Sequence, residues 1–187
     1  MKAPLRCTWA DGSVMMRAYH DAEWGVPQHD DRALFEMLTL EGAQAGLSWQ
    51  IVLARRAAYR AAFHDFDIPR VAAMTDAELA ALLAESGLIR NRLKIASVRG
   101  NAHAAQGVIA LHGSLDRFLW SFVDGRPIVN GWTRQDQVPA RTEASDRMSK
   151  ALRKLGFRFV GSTICYAFMQ ATGMVNDHLP GCRNAGA

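Results

Sequence analysis

The residue best placed to do chemistry is Glu41. Leu34, Met37, Leu38 and Glu41 recur at i, i+3, i+4 and i+7, so the carboxylate prolongs an apolar helix face. Burying an ionised carboxylate without a partner is costly, so its pKa must rise or a cation must lie beside it. The same spacing also suits a helix that has already ended, with Glu41 as a cap or the partner of an arginine. Trp9, Tyr19, Trp24 and Trp49 are four of the chain's eight Trp and Tyr residues, all within the first 50 positions. Such rings stack on flat ligands, a flipped nucleobase among them, and they equally fill cores.

Cys7 and His20 near one end, with His178 and Cys182 near the other, form a third group. Two thiolates and two imidazoles make a closed tetrahedral zinc site. Its halves lie about 158 residues apart, so a metal there would tie the ends of the chain together. The closing string HLPGC is also consistent with a surface histidine and an ordinary tail cysteine. A fourth group is the turn SGLIRNRLK, from Ser86 to Lys94. Backbone amides at a helix N-terminus, with Arg90, Arg92 and Lys94, suit a phosphate; a plain exposed basic turn is the alternative.

Helices must position these groups, because alanine is abundant and β-branched runs are few. A helix is expected from Asp30 through DDRALFEMLTLEGAQAG, and another from Ser48 to near Phe63. Thr75 and Glu78 form a capping box for a helix that Gly87 should end. Ile89, Leu93, Ala96 and Gly100 should mark the inner face of the next. Ser114 caps SLDRFLWSFV, and Asp124 to Arg141, with two glycines and two prolines, reads as a long connection. Met148, Leu152 and Leu155 mark an amphipathic helix from Thr142 to Leu155, ended by Gly156. No convincing strand pair is visible, so the fold class is all-α.

The 187 residues suffice for one domain or two small lobes, and 49% hydrophobic with 21% charged residues is ordinary globular composition. A net charge of +4 and a pI near 9.3 suit a polyanionic partner without requiring one. Three cysteines, an odd number, argue against a disulfide framework, and Cys165 reads as a core residue. Met1 to Trp9 lacks the apolar stretch of a secretory signal. Gly161, Ser162, Thr163 and Gln170 interrupt the apolar run from Phe157 to Val175, which reads as a core helix rather than a membrane span. A cytoplasmic protein is expected.

Several strings together resemble the DNA-3-methyladenine glycosylase I family: RCTW, AYHDAEWGVP, LFEMLTLEGAQAGLSW, FLWSFV, SDRMSKALRKLGFRFVGSTICYAFMQATGMVNDH and the closing Gly181-Cys182. The similarity spans nearly the whole chain in order. It implies a helix-hairpin-helix glycosylase fold and a single unit over 1–187. That unit would comprise a lobe at about 31–141, with the hairpin at about 78–101, and a terminal zinc-binding lobe from 1–30 and 142–187. It implies that Cys7, His20, His178 and Cys182 hold a structural zinc. Glu41, Tyr19 and Trp49 would line a base pocket supported by Trp9 and Trp24. Leu47 would enter the gap left by the flipped base, and Gly87, Arg90, Arg92 and Lys94 would grip the DNA backbone. Met16 and Leu93 depart from the pattern, which has a tyrosine at the first position and commonly a glycine at the second.

The activity implied is hydrolytic removal of 3-methyladenine from double-stranded DNA by a monomer. The Gly-Pro-Asp string that places a catalytic aspartate in many superfamily relatives is absent, and Lys94 lies outside any Schiff-base motif, so no strand cleavage is expected. A non-catalytic binder of alkylated DNA and a zinc-stapled scaffold with a small-molecule pocket are the competing readings.

Overall fold

Ten helices, numbered in chain order, build the described part of the chain around α2 (Asp31–Gln44). Asp30 caps α2 by accepting a bond from the Ala33 amide at 2.8 Å, and every residue from Leu34 to Ala43 is buried. A helix buried all round occupies the centre of a fold rather than its surface. The structure is a computed structural model and describes residues 6–85 and 87–185. Of the basic turn, Ser86 therefore lies outside the described residues.

Helix α1 (Val14–Ala22) precedes α2, capped by Ser13, and carries Tyr19 and His20 on its buried side. The expected helix from Ser48 to Phe63 is two: α3 (Trp49–Leu53) and α4 (Arg56–Ala62), meeting at Ala54–Arg55. Asp67 caps the short α5 (Ile68–Ala72). The capping box of Thr75 and Glu78 opens α6 (Asp76–Leu82), as the spacing predicts.

Helix α6 ends at Leu82, five residues before Gly87. Gly87 is not its C-cap but a close-packing position: a Cβ there would lie 2.7 Å from the Cβ of Ala58 on α4. Asn91 then caps α7 (Arg92–His112), which buries Ile95, Val98, Ala102, Ala105 and Val108. The expected inner face was rotated: Leu93 is 68% exposed, and Ala96 and Gly100 also face outward. The alternating small residues of this helix offer two plausible stripes, and packing against α5 and α2 selects the one with the larger side chains.

Helix α8 (Leu115–Trp120) is capped by Ser114, and both carboxylate oxygens of Asp31 accept its first amides, fastening it to the start of α2. Helix α9 (Glu143–Lys154) buries Met148 and Leu152 as expected, while Leu155 is 37% exposed. Helix α10 (Ser162–Ala171) packs on α2 and α9. One pair of two-residue parallel strands was not foreseen: β1 (Ile128–Val129) against β2 (Val175–Asn176). Two residues are too few to show an alternating pattern. The pairing pins the long 124–141 connection over the segment that carries Asp177 and His178. No helix among the described residues is long and apolar enough to cross a membrane.

Candidate active site

A cavity of about 180 Å³ opens where α1, α2, α3 and α10 converge. That is below the roughly 300 Å³ at which drug-sized pockets begin, so it suits a single flat ring system. Trp9, Tyr19, Trp24 and Trp49 supply its walls, and the carboxyl groups of Glu41 and Asp177 line it. The rings touch in sequence: Trp9 to Trp24 at 5.0 Å and Tyr19 to Trp49 at 5.3 Å between centroids.

Glu41 is 3% exposed, and its Oε2 has no hydrogen-bond partner. Burial raises its pKa from 4.5 to about 8, so the empty pocket holds a mostly protonated acid at neutral pH. The arginine pairing that the spacing also allowed falls instead to Glu36, which accepts bonds from Arg56 and Arg60 at 2.6 and 2.8 Å. Two more polar atoms at the cavity lack partners, the Tyr19 hydroxyl and the Trp49 Nε1. Burial and then Glu41 raise the Tyr19 phenol well above its ordinary value, so it stays a donor. Buried polar groups in folded proteins are nearly all satisfied. Three orphans around one cavity are what a site shows when a polar ligand completes it.

Leu47, 38% exposed, lies on the turn between α2 and α3 and is not among the lining residues of the cavity. The neighbouring Gln44 lines the cavity. Arg90 and Arg92 are exposed between α6 and the first turn of α7, and Gly87 is half-buried beside them.

Lys94 differs from its expected part in gripping a DNA backbone. It is 9% exposed, and its Nζ donates to the carbonyls of Ala43 and Ala45 at 2.8 and 2.7 Å. Those carbonyls belong to the unsatisfied end of α2, so the ammonium caps that helix and complements its dipole. The inward turn of α7 at this position takes the charge away from solvent, and burial lowers its pKa.

The four cysteine and histidine residues named above lie together behind the aromatic wall. Their donor atoms all fall within 4.8 Å of one another, and all four residues are buried. Cys182 Sγ lies 3.4 Å from both His20 Nε2 and His178 Nδ1, and Cys7 Sγ is 3.8 Å from His178 Nδ1. A tetrahedral zinc with bonds of about 2.0–2.3 Å separates neighbouring donors by roughly 3.5 Å, so the cluster fits one.

The outer nitrogens of both rings are occupied. His20 Nδ1 meets Asp21 at 3.1 Å, and His178 Nε2 donates to the Trp24 carbonyl at 3.2 Å, which turns the other ring nitrogens toward the cysteine sulfurs, His20 Nε2 also accepting from the Cys7 amide at 3.3 Å. The Arg6 guanidinium holds Asp21 down to about 2. Burial pushes the Cys7 thiol up to about 11, so its thiolate forms only beside a cation. Gly25, at φ +82°, admits the His178 ring where a Cβ would lie 2.6 Å from Nε2. The cluster also supports the cavity, since Trp24 packs edge-on to His178 at 4.6 Å and Trp9 to His20 at 5.3 Å.

The residues that sequence reasoning did not single out are Gln44, Gln135, Val138, Gln170 and Asp177, all of which line the cavity. Gln44 was readable as the i+3 neighbour of Glu41, and Gln170 as a polar break in an apolar run. Asp177 gave no periodic signal.

Comparison with known proteins agrees with this geometry. A family model described as methyladenine glycosylase matches residues 9–185. The chain is 50% identical over 177 residues to the DNA-3-methyladenine glycosylase 1 of Escherichia coli, covering 95% of each chain. It is 47% identical to the DNA-3-methyladenine glycosylase of Haemophilus influenzae, covering 95% of this chain and 96% of that one. A crystal structure of a tyrosine-to-phenylalanine variant of a 3-methyladenine DNA glycosylase I in complex with 3-methyladenine superposes with a TM-score of 0.93 at 30% identity, covering 97% of each chain. With the match running almost end to end and half of the residues shared with a characterised relative, the chain belongs to the methyladenine glycosylase family.

Proposed function

We propose that this chain excises 3-methyladenine from alkylated double-stranded DNA by hydrolysis, leaving an abasic site and cutting no strand. The three unpartnered polar atoms, Tyr19 Oη, Glu41 Oε2 and Trp49 Nε1, around one aromatic-walled cavity carry this reading. Methylation at N3 makes the base cationic and a good leaving group, so the protein's work lies mainly in finding, extruding and holding it. Extrusion costs a few kcal/mol, less for a damaged base, and stacking returns about 1–3 kcal/mol with a cation–π contribution. Tyr19 and Trp49 supply the stacking faces, with Trp9 and Trp24 behind them.

Glu41 accepts hydrogen bonds from the adenine edge. Protonated while the pocket is empty, it ionises when the cationic base arrives, because an opposite charge a few ångströms away lowers a carboxyl pKa. As the C1′–N9 bond breaks, its electron pair stays with the base, which leaves neutral, and positive charge develops on the sugar, where the ionised Glu41 favours it; water adds to C1′ and gives up a proton to solvent.

Leu47 fills the gap that the extruded base leaves. The α6–turn–α7 unit, within 78–101, serves as a helix-hairpin-helix whose Gly87, Arg90 and Arg92 meet the phosphates, while Lys94 holds the Leu47 turn. Cys7, His20, His178 and Cys182 bind a structural zinc that leaves no open position for water.

Methylated duplex DNA incubated with the protein and then heated in alkali should break at adenines, with intact strands before the alkali step. Protection of DNA without any alkali-labile sites identifies a non-catalytic binder and overturns the proposal.

A further inference from the structure

Charge is divided unevenly along the chain. The stretches 87–115 and 147–176 hold nine Lys or Arg residues and no Asp or Glu, in a chain whose net charge is +4. The rest of the molecule is therefore net acidic. The two stretches meet at a groove of about 430 Å³ between the first turns of α7 and the 156–161 turn that joins α9 to α10. Leu93, 68% exposed, forms its apolar side with Ala96 and Gly100, and Arg153 and Arg158 form its charged side. No carboxylate lines it. Among the described residues neither arginine forms an ion pair, nor does Arg92 beside Leu93 or Lys154 beside Arg153. Cations further off are answered, Arg99 by Asp76 and Arg147 by Glu143.

The turn that presents Arg158 is held at its backbone. Asn101 on α7, 4% exposed, accepts from the Arg158 amide at 2.8 Å and donates to the Arg158 carbonyl at 3.1 Å. The Ser149 hydroxyl donates to the Val160 carbonyl at 2.6 Å. Phe159, between these two anchors, takes a left-handed backbone at φ +57°, which a large residue rarely adopts. It closes on Gly42, next to Glu41, where an added Cβ would lie 3.2 Å from both the Cβ and the carbonyl oxygen of Phe159. Such strain persists only where the surroundings over-determine it, and it clusters at ligand clamps.

We propose that this groove is a second contact for the DNA backbone. The strand held by the hairpin continues across it, with phosphates on Arg153 and Arg158 and sugars on Leu93 and Ala96. Charge and continuity identify the occupant. The cations of the groove are unpaired, and α7 runs into it directly from Arg92 of the hairpin. A DNA strand alternates anionic phosphates with less polar sugars, and contacts to it supply affinity and register without reading sequence. The Phe159–Gly42 contact ties this grip to the helix that carries Glu41. The inference rests on the glycosylase reading above.

The test uses the full chain and two duplexes, with and without 3-methyladenine, titrated from low to moderate salt. Arg153→Ala and Arg158→Ala should each flatten the plot of log affinity against log salt by about 0.9. The double variant should flatten it by about twice that and weaken both duplexes alike, roughly 10- to 100-fold at about 0.1 M salt. Leu93→Glu puts an anion in the groove at an exposed position in the first turn of α7, where an acid suits the helix dipole. It should lower affinity for both duplexes without lowering the melting temperature. Arg117 is an exposed cation on α8, which is fastened to the opposite end of α2, so Arg117→Ala should leave the slope unchanged.

Parental slopes in the Arg153 and Arg158 variants overturn the inference. A slope that falls equally in Arg117→Ala also overturns it, because bulk charge rather than the groove then accounts for the effect. A dimer of the parent that Leu93→Glu dissolves, seen by sedimentation, assigns the groove to a second copy of the chain and overturns it too. A parent protein that binds DNA but releases no base contradicts the glycosylase reading instead, while the slopes still decide the groove.

Discussion

Glu41 and Glu36 lie five residues apart on one buried helix and have opposite environments. Glu36 is answered by two guanidinium groups, whereas Glu41 has an oxygen with no partner. Stability alone would favour removing the second. Burial raises the Glu41 pKa from 4.5 to about 8, so the folded state is penalised increasingly as pH climbs between those values. Glu41→Gln should therefore leave stability nearly unchanged at pH 4.5. It should raise stability progressively toward pH 8, by at most about 1.4 kcal/mol per pH unit. Denaturant midpoints at pH 5 and pH 8 measure this, and equal midpoint differences at both would contradict it.

Glu41 was readable in the sequence because a charge interrupts a helical apolar period. Asp177 was not, because it sits in a loop, where no period exists to be interrupted. Met16, where the family pattern has a tyrosine, packs in the core and is not among the cavity's lining residues.

Lys94 shows how elements are coupled. A basic residue in a basic turn reads as a phosphate contact, yet α7 turns it inward to cap α2 and hold the Leu47 turn in place. Lys94→Met should cost about 1–3 kcal/mol, because two buried carbonyls lose their donor. It should slow excision while leaving the salt dependence of DNA binding unchanged. Arg90→Ala and Arg92→Ala should each flatten the plot of log affinity against log salt by about one unit with little loss of stability. Binding titrations from low to moderate salt separate the two classes.

The sequence placed α2, α6, α7, α8, α9 and α10, since caps such as Thr75 and Ser114 are local signals, but it gave no sign of α1 or of the short α5. The face of α7, the break between α3 and α4 and the end of α6 depend on what packs against them. The role of Gly87 is legible only once Ala58 is known to lie beside it.

Across the whole molecule, the cysteine and histidine cluster joins the first turn-rich segment to the last, and the aromatic wall leans on it. One zinc per chain is expected by elemental analysis. Cys182→Ser, or removal of the metal by a strong chelator, should lower the melting temperature and loosen Trp9 and Trp24 together, so that excision falls with metal content. Full activity in a protein stripped of metal would show that the cavity stands without it. Neither the cluster nor the cavity can be built from one stretch of chain. Residue types raised Cys7, His20, His178 and Cys182 as a candidate zinc set but left an ordinary tail cysteine equally open, because spacing alone does not join residues about 158 positions apart; the resemblance to a known family favoured the set.

The central claim is that Glu41, set among Tyr19 and Trp49, makes a slot for a positively charged purine. Chromatographic measurement of free 3-methyladenine released from alkylated DNA by the parent and by Glu41→Gln tests it most directly. The parent should release the base, and the variant should release it at least about 100-fold more slowly, with melting at least as high at neutral pH. Equal release by the two proteins would contradict it.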